Sequence, residues 1–384
     1  MSLRSSLRNI CKRGETKGMK FVKREDIKDG MRLAKPIYNK KGVLLYERDS
    51  KLTRQSIESV RNFGLIGVYV LEPAEPLPPM TEEDIEIEKF QIISEFTLMD
   101  ELMNMNKTGK SPRIRYLAES YITQFSRYSH PVNFVQNLRG AEDYVFKHSS
   151  NVAILCTLIC SRLGLRYEEK TDTILAALVH DVGKLNIPSD IIKKEELDEE
   201  DIAQMKACEL NGQNIIDKAF TATPAIRRTM IQAYRHMEAF DTGSEKDGAK
   251  MVKSAKILVV ANMFDDLTAM SAHKEPMSYI SALKFLMSNP EWFDPEIVKG
   301  LIKSVSFLGE GTSVELSNGE KALVLADNPD NLLKPMVLVF STNTIIDLAR
   351  STIYEGLEVV DTMKTLDERY VMDSDAIRKL KSGT

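Results

Sequence analysis

The 384-residue chain lacks the features of disulfide-rich, membrane-spanning and nucleic-acid-coating proteins. Its longest apolar stretch, Val152–Cys160, has nine residues, whereas a membrane span needs about twenty. The net charge of −4 excludes a broadly basic surface. The cysteines are too few and too scattered for a disulfide framework, being Cys11, Cys156, Cys160 and Cys208. We therefore expect a cytoplasmic protein that neither enters a membrane nor binds DNA.

What is present is an ordinary globular composition, with 43% apolar and 28% charged residues. The length predicts two or three domains. Residues 1–18 contain five Lys or Arg, and no apolar segment follows them, which excludes a secretory signal. We expect residues 1–18 to be disordered, a cloning remnant or the product of a start site upstream of Met19.

Residues 19–71 have the pattern of a small α+β module. Short apolar runs at Phe21–Val22, Leu33–Ala34, Val43–Tyr46 and Val68–Val70 predict strands, and a helix is predicted from Thr53 to Phe63. The module has no visible chemistry, which favours a docking or regulatory role. Residues 72–89 contain four prolines and seven acidic residues, so we expect a linker there.

Residues 90–304 carry apolar residues at intervals of three and four, which predicts a helical domain. In residues 305–364 the pattern changes to short apolar runs. Asn318-Gly319 between two of these runs predicts a β-hairpin. A polar tail, residues 365–384, follows. The predicted fold is thus mainly α, a helical bundle with a small α+β module before it and a small antiparallel β module after it.

The predicted chemistry lies in a histidine cluster. His180 and Asp181 follow an apolar segment, and two adjacent polar groups at the end of a buried helix need a partner or a ligand. His148 lies four residues before Val152, on the same buried helix face. Imidazole nitrogen and carboxylate oxygen together suit Zn, Fe or Mn. The alternative is that each histidine is an ordinary core or surface residue.

These residues also carry a family resemblance. The stretches Lys147–Val152, Ala177–Lys184 and Ile187–Pro188 resemble the HD superfamily of metal-dependent phosphohydrolases. The later stretches, Met205–Gly212, His236–Asp241 and Ala261–Thr268, are similar to its HD-GYP branch, the bacterial cyclic-di-GMP phosphodiesterases. The resemblance covers about residues 140–285 and implies an all-α, HD-type domain that holds two or three metal ions and hydrolyses a signalling nucleotide.

The resemblance implies seven ligand positions, of which four are kept. His148, His180, Asp181 and His236 stand where the family has metal ligands. The other three are substituted: Cys208 and Met237 replace histidines, and Asn262 replaces an aspartate. The positions of the family's Gly-Tyr-Pro signature are occupied by Ser244–Lys246, so this chain lacks the signature.

The substitutions predict a site for at most one Fe, Mn or Zn ion, held by His148, His180 and Asp181 with Asn262 as a weak fourth donor. A thioether such as Met237 is a poor ligand for Mn or ferrous iron. Cys208 is open to two interpretations, a thiolate ligand or a small buried hydrophobe. A chain that binds no ion is the alternative.

The catalytic roles carried over by resemblance fall on Asp181 and Lys184. Lys184, and also Lys194 or Lys193, match lysines that contact phosphate in the family. The alternative is that these lysines are ordinary solvated side chains. Glu238 and Asp241 are candidates for orienting the loop through hydrogen bonds behind the ligands, or for ordinary helix-surface charges. Asp265 is a candidate for capping or bracing a helix.

We therefore predict a diverged HD-GYP protein of cyclic-dinucleotide signalling, a pseudoenzyme with weak or no phosphodiesterase activity. One alternative is an active single-metal phosphohydrolase that acts on a nucleotide or another phosphoester. Another is a non-catalytic nucleotide receptor or protein-interaction module. Members of the family often pair, so the resemblance leaves a homodimer open.

Overall fold

The fold is that of a computed structural model, which describes residues 19–23, 25–33, 37–38, 44–47, 50–62, 67–71, 81–134, 139, 143–194, 198–219, 223–244, 250–269, 276–328, 331–352 and 354–362. The predicted terminal segments, residues 1–18 and 365–384, lie outside these ranges.

The amino-terminal module is α+β, as predicted. Strand β1 (Met19–Lys23) pairs antiparallel with β4 (Gly67–Leu71), β2 (Ile37–Tyr38) pairs with β3 (Leu44–Tyr46), and α1 spans Arg54–Asn62. The module has its own apolar core, made of Val22, Ile27, Leu33, Ile37, Leu52, Ile57, Val68 and Val70. The predicted strand at Leu33–Ala34 is wrong for Leu33, which forms an isolated bridge, and Ala34 lies outside the described residues.

Helices dominate the middle of the chain, which confirms the predicted class. They are α2 (Glu82–Thr108), α3 (Ile114–Phe125), α4 (Tyr144–Arg162), α5 (Tyr167–Val179), a 3-10 helix (Val182–Asn186), α6 (Ser189–Lys193), α7 (Glu199–Ala219), α8 (Pro224–Thr242), α9 (Lys253–Thr268), α10 (Tyr279–Met287) and α11 (Pro295–Ser304). Within the described residues, every helix is too short or too polar to cross a lipid bilayer.

The start of α2 corrects the predicted linker. The helix begins at Glu82, so residues 82–89 are helical and only residues 72–80 remain outside the described part of the chain. The Thr81 hydroxyl caps the helix by accepting a hydrogen bond from the Asp84 backbone N–H, and the Asp84 carboxylate accepts one from the Thr81 backbone N–H. Acidic residues in a first turn also match the positive end of the helix dipole. The acidic run is therefore a helix start.

Helix α4 is the centre of the bundle. Every residue from His148 to Cys160 is buried, so the helix is covered on all sides. It packs against α5, α9 and α11. Because α4 and α5 are joined by a short turn, the beginning of α4 lies beside the end of α5, and α9 crosses both. This arrangement places polar side chains at the start of α4 inside the domain.

The carboxyl-terminal module is an antiparallel sheet, as predicted. Its strands are β5 (Ser313–Leu316), β6 (Lys321–Ala326), β7 (Met336–Val339), β8 (Thr344–Asp347) and β9 (Val359–Thr362), in the order β8-β7-β6-β5-β9. Gly319 has a φ of 82° in the predicted β5–β6 turn. The two edge strands, β8 and β9, were not predicted, because they are short and half-exposed. One sheet face shares the apolar core of the helices through Val314, Val324 and Val337.

Candidate metal centre

Three elements bring the candidate ligands together. His148 lies in the second turn of α4, and His180 and Asp181 follow the last residue of α5. Asn262 lies in the middle of α9, which packs on both helices. The predicted convergence of His148, His180, Asp181 and position 262 is therefore present in the structure.

The donor atoms are spaced as ligands of one ion are spaced. His148 Nε2 lies 3.2 Å from His180 Nε2, and Asn262 Oδ1 lies 2.9 Å and 3.1 Å from these two nitrogens. Asp181 Oδ2 is 3.3 Å from His148 Nε2. Ligands bound at about 2.0–2.2 Å to a common ion are separated by roughly 3–3.5 Å. Two imidazoles, a carboxylate and an amide oxygen thus fit a single divalent ion.

The His180 ring is oriented by its own helix. Its Nδ1–H donates to the Ala177 carbonyl over 2.8 Å, because a carbonyl oxygen can only accept. A neutral ring protonated at Nδ1 carries its lone pair on Nε2. Burial lowers the pKa of His180, which favours this neutral form. The lone pair therefore faces the other donor atoms.

The site is also electronegative. Burial alone would lower the pKa of His148, but the carboxylates of Asp266, Asp265 and Asp181 outweigh burial and raise it. Burial likewise opposes ionisation of Asp181, yet the neighbouring His180, Lys184 and His148 lower its pKa well below the usual value. The potential that favours a proton on His148 would equally attract a metal cation.

A second set of side chains surrounds His148. The Asp265 carboxylate lies 2.6 Å from His148 Nδ1 and accepts hydrogen bonds from Arg139 at 2.6 Å and from Asn151 at 3.2 Å. The Tyr144 ring stacks on the imidazole with centroids 5.7 Å apart. Sequence reasoning offered Asp265 only as a cap or brace of a helix, and it missed the contact of Asp265 with His148 as well as Arg139 and Tyr144. Asp265 had a signal, since it lies three residues after Asn262, on a neighbouring part of the same helix face.

The predicted phosphate-binding lysines have carboxylate partners. Lys184 Nζ lies 2.7 Å from Asp181 Oδ2, so it borders the candidate site. Lys194 Nζ lies 2.6 Å from Asp201, and its predicted phosphate contact stays a prediction. The side chain of Lys193 lies outside the described part of the structure.

The remaining predicted ligand positions contact other groups. His236 Nε2–H donates to the Trp292 carbonyl over 2.8 Å, and its ring packs edge-to-face on the indole. Met237 is half-buried against the apolar core. The Cys208 thiol points at the Asn186 carbonyl over 3.4 Å. Among the described residues, the clusters of His, Cys, Asp and Glu that could share an ion include neither His236 nor Cys208. The predicted place of His236 among the metal ligands is thus not supported, because its face of α8 meets Trp292.

The carboxylates predicted as braces on α8 are peripheral. Glu238 lies 3.8 Å from Lys206, and both side chains are largely exposed, which makes a surface ion pair. Asp241 is half-buried near the end of α8. The substituted signature begins at the exposed Ser244, and the two residues after it lie outside the described ranges.

Part of the helical region matches a known protein family. Residues 135–297 match the HD domain family. A cyclic di-GMP phosphodiesterase of Pseudomonas aeruginosa is 22% identical over 58% of this chain and 53% of its own length. The cyclic di-GMP phosphodiesterase response regulator RpfG of Xanthomonas campestris is 30% identical over 38% and 39%. A 3'3'-cGAMP-specific phosphodiesterase of Vibrio cholerae is 28% identical over 35% and 31%. The chain thus spans about half or less of the length of these relatives.

One solved structure is also similar, that of Bd1817, an HDG"Y"P protein of Bdellovibrio bacteriovorus. It is 15% identical, with a TM-score of 0.43, and covers 74% of this chain and 98% of its own. The family match assigns residues 135–297 to the HD domain family, and the curated relatives that match this chain are named as cyclic-dinucleotide phosphodiesterases. The chain is accordingly a homologue of cyclic-dinucleotide phosphodiesterases.

Proposed function

We propose that this protein is a diverged HD-GYP-type component of cyclic-dinucleotide signalling, with one divalent-ion site and weak or no phosphodiesterase activity. One observation carries the proposal. The donors of one site converge within hydrogen-bond distance, whereas Cys208, His236 and Met237, at the positions of further ligands, contact a carbonyl, a carbonyl and the apolar core.

The donor set supports one ion rather than two. His148, His180, Asp181 and Asn262 would hold Fe, Mn or Zn. Such an ion, when bound, polarises a phosphoryl oxygen as a Lewis acid. Hydrolysis with two metals uses a pair about 3.5–4 Å apart that clamps both the attacking and the leaving oxygen. The second member of such a pair would need ligands that Cys208 and Met237 do not supply here.

Lys184 and Asp181 form the polar border of this site. The Lys184 ammonium donates to Asp181 Oδ2 and remains about one quarter exposed, so it keeps access to an incoming anion. Together with His180 and His148, Lys184 lowers the pKa of Asp181, so the carboxylate is ionised, as a metal ligand requires. In this arrangement Lys184 orients Asp181 and contributes positive charge where a phosphate would approach.

The proposed ligand class is a cyclic dinucleotide. The relatives are named for two such molecules, cyclic di-GMP and 3'3'-cGAMP, which share a ring of two phosphodiesters and differ in one base. The shared chemistry therefore supports the class and leaves the bases open. Because the match covers only part of each relative, we assign the ligand to this chain as a proposal.

Element analysis tests the number of ions. The protein is purified without chelator or nickel resin, and its Fe, Mn and Zn contents are measured together with cyclic di-GMP turnover in added Mn²⁺ or Fe²⁺. We expect one ion per chain and turnover near the background rate. Asp181→Ala should lose the ion, whereas the matched variant His236→Gln should keep it. Two ions per chain with steady turnover, or ion loss in His236→Gln, would overturn the proposal.

A second candidate is an active single-metal phosphohydrolase for a nucleotide monophosphate. The four converging donors favour it, whereas Asn262 counts against it, because an amide oxygen lacks the negative charge of the aspartate that the family resemblance implies at this position. Release of phosphate from nucleoside monophosphates by the one-ion protein would support this candidate. Binding of cyclic di-GMP by calorimetry without turnover would support the receptor role.

A further inference from the structure

Asp265 is fully buried beside the candidate metal centre, and its carboxylate contacts the far side of a ligand. Oδ2 lies 2.6 Å from His148 Nδ1, the nitrogen that does not face the donor cluster. Oδ1 accepts hydrogen bonds from Arg139 Nη2 at 2.6 Å and from Asn151 Nδ2 at 3.2 Å. Asp265 is 0% exposed and Arg139 is 1% exposed. The carboxylate is therefore held on both oxygens inside the bundle.

These contacts determine where the proton of His148 lies. An ionised carboxylate only accepts hydrogen bonds, so His148 Nδ1 must be the donor. A neutral imidazole protonated at Nδ1 has its lone pair on Nε2. His148 Nε2 is the atom that lies 3.2 Å from His180 Nε2 and 2.9 Å from Asn262 Oδ1.

The bracing residues Asn151 and Asp265 lie at the same helix interface as two of the ligands. His148 and Asn151 are three residues apart on α4, and Asn262 and Asp265 are three residues apart on α9. Residues three apart lie on the same side of a helix. Packing of α4 on α9 therefore aligns the ligand pair and the bracing pair together.

We infer that Asp265, anchored by Arg139 and Asn151, is a positioning residue that fixes His148 in its Nδ1–H tautomer and thereby sets the affinity of the site for a divalent ion. This inference rests on the proposed one-ion site and names how that site is oriented.

Histidine NMR tests the tautomer directly in the wild-type protein. The chain is labelled with ¹⁵N in its imidazoles, freed of metal, and measured above the pH at which His148 loses its extra proton. We expect protonated Nδ1 and unprotonated Nε2 for His148. A proton on Nε2 would overturn the inference without any variant and without any bound ion.

Asp265→Asn and Asp266→Asn form a matched pair for the second test. Each removes one negative charge beside His148, since Asp266 Oδ1 lies 3.7 Å from the same Nδ1, but only Asp265 bridges to Arg139 and Asn151. We expect Asp265→Asn to give mixed His148 tautomers and to weaken Zn²⁺ or Mn²⁺ binding about 10- to 100-fold. Asp266→Asn should keep the tautomer and change affinity by no more than about threefold. Equal effects in both variants would show a role of charge alone.

Loss of the Asp265 charge leaves Arg139 buried without its carboxylate, which could unfold the chain. The paired variant Arg139→Met with Asp265→Asn removes both charges and gives the same test. Wild-type affinity and tautomer in a folded variant would overturn the inference and leave the metal site intact. If no variant folds, the wild-type NMR decides. Absence of any ion from wild type would instead refute the proposed site.

Discussion

Two groups of family ligand positions lie in the same helical domain and differ in what their side chains contact. His148, His180, Asp181 and Asn262 face one another, with His148 Nε2 between 2.9 and 3.3 Å from a donor of each of the others. The second group consists of Cys208, His236 and Met237, which contact two backbone carbonyls and the apolar core.

The two groups differ in burial at their centres, since the first contains the buried His148 and Asp181, whereas no member of the second is buried. His148 is fully buried where α4, α5 and α9 meet, and a polar group there must keep a partner because an unpaired one costs free energy. Cys208, His236 and Met237 are only half-buried on α7 and α8. A side chain in that setting finds another partner, or water, at little cost. Substitution in the second group can therefore leave the arrangement of the first group unchanged.

The largest effect should follow loss of a ligand from the first group. His180→Ala removes one of the two imidazoles and should weaken binding of Mn²⁺ or Zn²⁺ by about 100-fold or more, a larger effect than loss of an outer-shell partner. Cys208→Ala is the matched control from the second group and should bind as wild type does. Calorimetric titration measures both. Loss of binding in Cys208→Ala would place the thiol among the ligands, and the two groups of positions would then no longer differ in metal binding.

Gly183→Ala tests the contact that joins the two groups. A Cβ at Gly183 would collide with the Cys208 carbonyl oxygen and lie 2.9 Å from that of Glu209, so helix α7 would have to move. We expect a loss of about 1–3 kcal/mol in the free energy of unfolding and a lower ion content, because Asp181 lies two residues away.

Gly300→Ala serves as its control in urea denaturation. The three atoms nearest to a Cβ there are side-chain atoms of Ile159 and Leu163 at 3.4 Å, and alanine favours a helix over glycine by about 1 kcal/mol. Its unfolding free energy should stay near that of wild type or rise. Equal destabilisation by both substitutions would mean that the close approach of Gly183 to the backbone of α7 does not limit the size of the side chain at position 183.

Asn262→Asp sharpens the comparison by strengthening the kept group. A negative charge beside the ion should raise its affinity about tenfold, equivalent to about 1.4 kcal/mol, a conservative value for charges a few ångströms apart. Asn186→Asp adds the same charge at an exposed position and should change affinity little. Competition with a metal-sensitive dye measures both variants. An unchanged affinity in Asn262→Asp would exclude position 262 from the ligand set.

The smallest effect is expected at Met237. Met237→Leu conserves volume and polarity, so the unfolding free energy should change by less than about 1.5 kcal/mol. Ion content should not change, because the side chain packs against the apolar core. Thermal unfolding and element analysis measure the two quantities. A loss of bound ion would show that the thioether acts as a ligand.

Much of the site was readable from local pattern. His180-Asp181 after an apolar segment and the inward spacing of His148 predicted their convergence, and the helical class was confirmed. Arg139 could not be found this way, because 126 residues separate it from Asp265 and nothing in its local pattern marks a buried cation. The linker prediction failed at Glu82 for a different reason, since acidic residues suit both a solvated linker and the first turn of a helix.

Residue order alone decides which donor chemistry is available, namely two imidazoles, a carboxylate and an amide where the family has an aspartate. It also decides the helix periods that carry these groups. Packing decides which donors meet. Neighbouring residues on a helix point about 100° apart, so only the contact of α8 with Trp292 determines that His236 faces an indole and not the ion site.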